Sequence, residues 1–106
     1  MGVFVICAYR PKPGKQPQLR AILKDHLPIL RRLGLATRRP SYLMRSLEGT
    51  YVEVFEWKSA KAIERAHNNP SVHAMWAKFD EACTYEAVGN LEEAKRLFSE
   101  FTPVDI

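Results

Sequence analysis

Three side chains of this sequence combine a reactive group with a position that predicts burial, namely His26, Glu53 and His67. An imidazole gains or loses a proton near neutral pH, and a carboxylate beside it can orient the ring or share that proton. Such a set suits proton abstraction from a small organic molecule. No metal is expected, because the spacing of the three histidines matches no standard metal framework, although Glu53 with His26 and His67 could form a fortuitous one.

His26 lies in the apolar stripe of a helix that is predicted to begin near Gln16 and to end at Gly34. The stripe consists of Leu19, Ile22, Leu23, His26, Leu27 and Leu30. His26 is therefore expected to point into the core. It serves there either as a neutral ring bonded to a backbone carbonyl or as part of a site.

His67 belongs to the stretch AHNNPSVHAMW, in which an Asn-Asn-Pro step separates two helical segments. Ser59 is the predicted N-cap of the first segment, and His67 shares an apolar stripe with Ala60 and Ile63. We therefore expect His67 to point inward. In the second segment the inward stripe contains Val72, Met75, Trp76, Phe79 and Cys83, whereas His73 is expected at the solvent edge. Trp76 is thus a core side chain that can also contact a ligand.

Glu53 lies in a predicted hairpin of strands 38–47 and 50–57, joined at Glu48-Gly49. A two-residue turn would pair Tyr42 with Phe55. One face of the hairpin would then carry Tyr42, Met44, Tyr51, Glu53, Phe55 and Trp57. This arrangement predicts an aromatic pocket with walls formed by Trp57, Tyr42 and Phe55.

Burial of an unpaired polar group costs a few kcal/mol, in the range of about 1–3 for a lost hydrogen bond. Glu53, His26 and His67 are therefore expected to satisfy one another or to line a cavity. A cavity with apolar walls and a few polar groups is typical of a small-molecule site. Alternatively, the helices cover the opposite face of the sheet and Glu53 lies at a wet interface.

Composition excludes several classes of protein. The 106 residues, with 46% hydrophobic and 26% charged residues, predict one globular domain over 1–106. The opening VFVICA predicts a buried strand, with neither a signal peptide nor a membrane span, so a cytoplasmic location is expected. Cys7 and Cys83 form no CxxC motif, and no glycine-rich phosphate loop or nucleophile motif is present, so zinc or redox motifs, dinucleotide binding and triad hydrolysis are not expected. The net charge of +4 predicts a solvated basic rim at Arg31–Arg39, without nucleic-acid binding.

The order of elements predicts an α+β fold of the ferredoxin-like type, with a split β-α-β-β-α-β arrangement and an antiparallel sheet. Residues 3–9 are apolar on both alternating faces, although helices would cover only one face of such a sheet. The uncovered face predicts a homodimer in which two sheets face each other.

The chain resembles the antibiotic biosynthesis monooxygenase-like domains of the dimeric α+β barrel superfamily. The resemblance covers nearly the whole chain and is carried by PKPGK, GTYVEVFEWKS and AHNNPSVH. It implies a homodimeric barrel that oxidises a small aromatic or quinol-like molecule without a cofactor, the substrate phenolate itself reducing oxygen in a dry pocket. Glu53 stands where those enzymes have an asparagine, and Trp57 matches their strand-end tryptophan.

Two hypotheses follow for function. In the first, Glu53 or His26 abstracts or stabilises a phenolic proton, His67 orients it, and the aromatic side chains form the walls. In the second, the chain is a non-catalytic ligand-binding or structural module in which Trp76, Met75 and Phe79 fill the pocket.

Overall fold

The strands and helices follow the predicted order. A computed structural model describes residues 1–106. The strands are β1 (Val3–Pro11), β2 (Tyr42–Arg45), β3 (Tyr51–Trp57), β4 (Cys83–Glu86) and β5 (Thr102–Pro103). The helices are α1 (Gln16–Arg32), α2 (Ala60–Ala66) and α3 (Pro70–Ala82), and two short 3-10 turns follow β4 at Val88–Asn90 and Glu93–Lys95.

The strands form one antiparallel sheet in the order β4-β1-β3-β2-β5. This confirms the predicted ferredoxin-like α+β fold. The predicted break between the two later helices is also present, because the Asn69 side chain accepts hydrogen bonds from the backbone N–H groups of Ser71 and Val72 and so caps α3. Pro70 then occupies the first turn, where no backbone donor is needed.

The helices cover the face of the sheet that carries Glu53, which we call the inner face. All six predicted stripe residues of α1 are buried, His26 among them. They pack with Tyr9 of β1, Phe55 and Trp57 of β3, and Phe79 of α3 in the main core. Each of these strand residues is on the inner face, because alternate side chains of a strand share a face.

The turn between β2 and β3 is one residue longer than predicted. The N–H of Ser46 donates to the carbonyl of Thr50 at 2.9 Å, and the N–H of Gly49 donates back to the carbonyl of Ser46 at 3.0 Å. The loop therefore contains three residues, and Gly49 adopts the left-handed φ of +95° that glycine accommodates. The prediction of a two-residue turn was wrong.

This longer turn changes which side chains of β2 meet the helices. Tyr42 pairs with Val54, and Leu43 pairs with Glu53. Because a shift of one residue moves a whole strand to the opposite face, Tyr42 lies on the outer face and is 63% exposed. The predicted pairing of Tyr42 with Phe55 was therefore wrong.

The C-terminal segment covers part of the outer face, which had been expected to be bare. Leu91 packs on Ala8 and Val52 in a small separate core. Glu93 anchors this segment, because its carboxylate accepts a hydrogen bond from the N–H of Leu47 at 2.9 Å, a bond that lowers the pKa of Glu93. The expectation that no second layer exists within the chain was wrong over this part of the sheet.

Replacing Gly49 by alanine tests the turn. We expect the free energy of unfolding to fall by about 1–2 kcal/mol, because an L-residue with a side chain is strained at positive φ. No heavy atom lies within 4 Å of the added Cβ, so the cost is one of backbone conformation alone. Gly89→Ala is the matched control, since Gly89 also has open space but no positive φ. Equal urea midpoints for both variants would contradict the turn geometry.

Candidate functional site

A buried carboxylate joins three elements of the fold. Glu53 of β3 accepts a hydrogen bond from the Tyr9 hydroxyl of β1, with 2.9 Å between the oxygens. The same oxygen, Oε1, lies 2.9 Å from Nδ1 of His26 on α1. Glu53 and His26 are each 4% exposed. Mutual hydrogen bonding removes most of the cost of burying these polar groups.

Aromatic rings hold this trio in place. The His26 ring meets Phe55 edge-on at 5.5 Å and Phe79 at 5.1 Å between centroids. Tyr9 stacks on Phe79 at 5.0 Å. Such contacts add stability beyond the area they bury, and they leave the imidazole little freedom to rotate.

The hydrogen bonds indicate where the proton of His26 lies. An ionised carboxylate only accepts, so Oε1 receives the Tyr9 hydroxyl and the Nδ1–H of His26. We assign this tautomer from the hydrogen bonds. The other ring nitrogen, Nε2, then carries a free lone pair. Nε2 makes no hydrogen bond within the protein. Every fully buried side-chain nitrogen and oxygen of this protein is hydrogen-bonded, so Nε2 is not fully buried and must reach accessible space.

That space is a cavity of about 350 Å³ between the inner face and helices α1 and α3, which we call the aromatic cavity. Its lining consists of Cys7, Tyr9, His26, Phe55, Trp57, Trp76, Phe79, Asp80 and Tyr85. It is the one cavity that His26 lines. The indole N–H of Trp57 also has no partner in the protein, so the same reasoning makes it an accessible donor. The cavity thus offers Nε2 of His26 as a buried acceptor and the indole N–H of Trp57 as a donor within largely aromatic walls.

Three further ionisable groups of the cavity, those of Cys7, Tyr9 and Tyr85, are held neutral. Burial, together with the nearby charge of Glu53, raises the pKa of the Cys7 thiol to about 11. The same two causes raise the pKa of Tyr9, and burial raises that of Tyr85 to about 12. At neutral pH the cavity therefore presents no thiolate nucleophile, and the buried His26 and the exposed Asp80 are the groups of its lining that can accept a proton.

The structure brings most of the predicted site residues together. His26, Phe55, Trp57 and Trp76 line the aromatic cavity. Glu53 lies behind His26 and does not line this cavity. Tyr42 lies on the outer face and outside the aromatic cavity, as a consequence of the hairpin register.

His67 does not point inward, so this prediction was wrong. Its side chain is exposed, and its ring packs against the edge of Trp76 with 5.1 Å between centroids. Helix α2 ends at Ala66 and buries Ala62 and Ala66, so its inward stripe is rotated by one position from the predicted one. His73, which was expected at the solvent edge, is exposed.

Sequence reasoning missed the role of Tyr9. Its hydroxyl lies on a strand that is apolar on both faces, and a buried tyrosine hydroxyl normally finds a partner. The alternation of β1 also places Cys7 on the same face. These two signals together could have indicated a polar contact under the helices, but the partner on β3 depends on strand pairing.

No group of three or more His, Cys, Asp or Glu side chains is placed to hold a metal ion. None of the helices is both long and apolar enough to cross a lipid bilayer.

The fold has a counterpart among solved structures. The chain is similar to Rv0793 from Mycobacterium tuberculosis, with a TM-score of 0.63 and 23% sequence identity over 82% of this chain and 94% of that chain. No protein-family model and no protein of curated function matches the chain at a significant level. Likeness at this level of identity supports the α+β fold and carries no information about activity.

Removal of the Tyr9 hydroxyl tests the buried trio. Tyr9→Phe should lower the free energy of unfolding by about 1.5–3 kcal/mol, because it deletes a hydrogen bond to a charged group. Tyr42→Phe is the control: its hydroxyl is on an exposed side chain, so the change should stay within about 0.5 kcal/mol. Urea denaturation measures both. A Tyr9→Phe protein as stable as the Tyr42→Phe protein would show that Glu53 gains nothing from the tyrosine.

Proposed function

We propose that this chain is an oxidoreductase of the antibiotic biosynthesis monooxygenase-like type, which oxidises a small phenolic or quinol-like molecule without a cofactor. The observation that carries the proposal is the orientation of His26. One ring nitrogen is held by a buried carboxylate, and the other opens onto an aromatic cavity. This is the arrangement expected of a general base whose tautomer is set by a positioning residue.

The cavity suits a small aromatic ligand. Its volume of about 350 Å³ lies near the lower end of the range for small-molecule sites, roughly 300–1,000 Å³. Rings from Phe55, Trp57, Trp76 and Phe79 provide stacking surfaces. The rival hypothesis, in which Trp76 and Phe79 fill the pocket, is disfavoured because these two side chains line an open space.

In the proposed reaction a phenolic hydroxyl of the substrate lies against Nε2 of His26, which takes the proton. Glu53 stabilises the resulting imidazolium, and the indole N–H of Trp57 is available to bond the phenolate oxygen. The electron-rich phenolate then reduces dioxygen. One oxygen atom replaces the two hydrogens of a ring methylene as a carbonyl, and the other leaves with those hydrogens as water. In this scheme His26 is the catalytic residue and Glu53 a positioning residue.

Oxygen uptake tests the activity directly. A panel of hydroquinones, phenols and anthrone-like compounds would be incubated with the protein, with substrate loss followed in parallel under anaerobic conditions. Both tryptophans of the chain line the cavity, so quenching of intrinsic fluorescence measures binding independently of turnover. Binding without oxygen uptake would support the non-catalytic module, whereas neither response would overturn both hypotheses.

Histidine variants assign the base. We expect His26→Gln to lower the turnover rate by about 100-fold or more, the usual contribution of general-base catalysis, while fluorescence still reports binding. His67→Gln is the matched control and should keep the full rate, because this side chain is exposed. Glu53→Gln should lower kcat with little change in KM and alter the pH profile, since Glu53 acts through His26. Full activity in His26→Gln would overturn the assignment.

We also propose that a second copy of the chain covers the free part of the outer face. Phe4, Ile6 and Tyr42 are each more than half exposed there, and a contiguous apolar patch of this kind favours association. Because both copies present the same patch, a two-fold homodimer satisfies it.

Sedimentation tests the dimer. The wild-type protein should sediment as a dimer at micromolar concentration, and Ile6→Arg should convert it to a monomer, since a charge cannot be buried there without a partner. Leu47→Arg is the control, because Leu47 is exposed at the tip of the hairpin. A monomeric wild-type protein would contradict the proposal.

A further inference from the structure

The second oxygen of Glu53 has a different environment from the first. Oε1 makes both contacts, with Tyr9 and with His26. Oε2 makes no hydrogen bond within the protein. Because every fully buried side-chain oxygen is hydrogen-bonded, Oε2 is not fully buried and must also reach accessible space. That space is not the aromatic cavity, which Glu53 does not line.

Glu53 lines a second cavity of about 320 Å³, which we call the polar cavity. It lies between α1, β2 and the C-terminal residues 104–106. Lys24 and Arg31 of α1, Ser41 and Asp105 give it polar walls, in contrast to the aromatic cavity. The tail is held over it by two hydrogen bonds, from the N–H of Val104 to the carbonyl of Leu43 at 2.9 Å and from Nη2 of Arg20 to the carbonyl of Asp105 at 3.2 Å.

We infer that Glu53 connects the two cavities as a proton relay, and that the polar cavity is the route by which the proton of a bound phenol leaves the site. This inference rests on the proposed function. His26 lines the aromatic cavity alone and Glu53 the polar cavity alone, and the two side chains meet at Oε1. The polar groups therefore form one unbroken path between the cavities: Nε2, Nδ1, Oε1, Oε2.

Each proton that leaves the site through Glu53 is replaced later in the cycle. The phenolic proton moves to Nε2, the proton of Nδ1 moves to Glu53, and the carboxyl group releases it from Oε2 to water in the polar cavity. Later in the cycle Glu53 takes a proton from the polar cavity and passes it to Nδ1 as Nε2 returns its own proton to the phenolate oxygen. The product hydroxyl and the starting tautomer of His26 are thereby restored, and the net proton count is zero.

A separate exit is needed once the substrate is bound. The ligand itself then occupies the aromatic cavity, whose walls carry few groups able to accept a proton. Water that could take the proton is excluded there, whereas the polar cavity has room and hydrogen-bonding partners for several water molecules.

A coloured phenol tests the relay without requiring oxidation. We would mix 4-nitrophenol with the protein in a stopped-flow instrument and follow the absorbance of the phenolate together with a pH indicator in the solvent. In the wild type, the phenolate and the solvent proton should appear together. In Glu53→Gln the phenolate should form with no proton released, because the proton stays on His26.

Blocking the polar cavity tests the route. Leu43→Trp places an indole beside Glu53 on the inner face and should delay the solvent proton roughly tenfold or more relative to the phenolate. Leu43→Phe is a smaller plug for use if the indole impairs folding. Leu97→Trp is the control, because Leu97 is exposed and lines neither cavity.

The outcomes separate the two proposals. Proton release at the wild-type rate in both Leu43 variants, or undiminished release in Glu53→Gln, would overturn the relay and leave the proposed function standing. If the wild type forms no bound phenolate, the proposed base fails, and the relay fails with it.

Discussion

The carboxylate of Glu53 is the constraint around which this small protein is organised. A carboxylate on the central strand of a sheet, covered by helices, is tolerated only when hydrogen bonds compensate for the water it has lost. Tyr9 and His26 supply those bonds from the neighbouring strand and from α1. The same contacts therefore determine how α1 lies over the sheet, because His26 must face Glu53. The aromatic rings around His26 then complete the core on either side of this polar centre.

This polar centre divides the interior under the helices into two unlike cavities. On one side the walls are aromatic, and the ionisable groups Cys7, Tyr9 and Tyr85 stay neutral because burial raises each pKa. On the other side, Lys24 and Arg31 of α1 and Asp105 of the C-terminal segment line the cavity that Glu53 reaches. In the proposed reaction, a substrate on the aromatic side would contact His26, and Glu53 would stabilise the positive charge that His26 gains. The separation of an apolar chamber from a polar one gives the proposed chemistry its physical basis.

Much of the architecture was predictable because it depends on local periodicity. The stripe of α1 from Leu19 to Leu30, the capped break at Asn69-Pro70 and the alternation of β1 and β3 each follow from residues a few positions apart. The burial of His26 follows from the same patterns, whereas they left open whether Glu53 lies under the helices or on the opposite face. Errors arose where a single residue changes the outcome. One extra residue in the turn at Gly49 placed Tyr42 on the outer face, and a rotation of one position on α2 left His67 in solvent.

The sequence by itself thus determined the order of elements and most of the buried residues, including the whole stripe of α1. Tertiary structure alone decided which partners those buried groups have. Glu53 is 44 positions from Tyr9 in the sequence and 27 from His26. No short-range sequence pattern indicates contacts between residues so far apart in the chain. Tertiary structure also decided that the two oxygens of one carboxylate face different surroundings. Local patterns specify which face of an element is buried, whereas hydrogen-bond partners and cavities depend on how elements distant in the chain pack together.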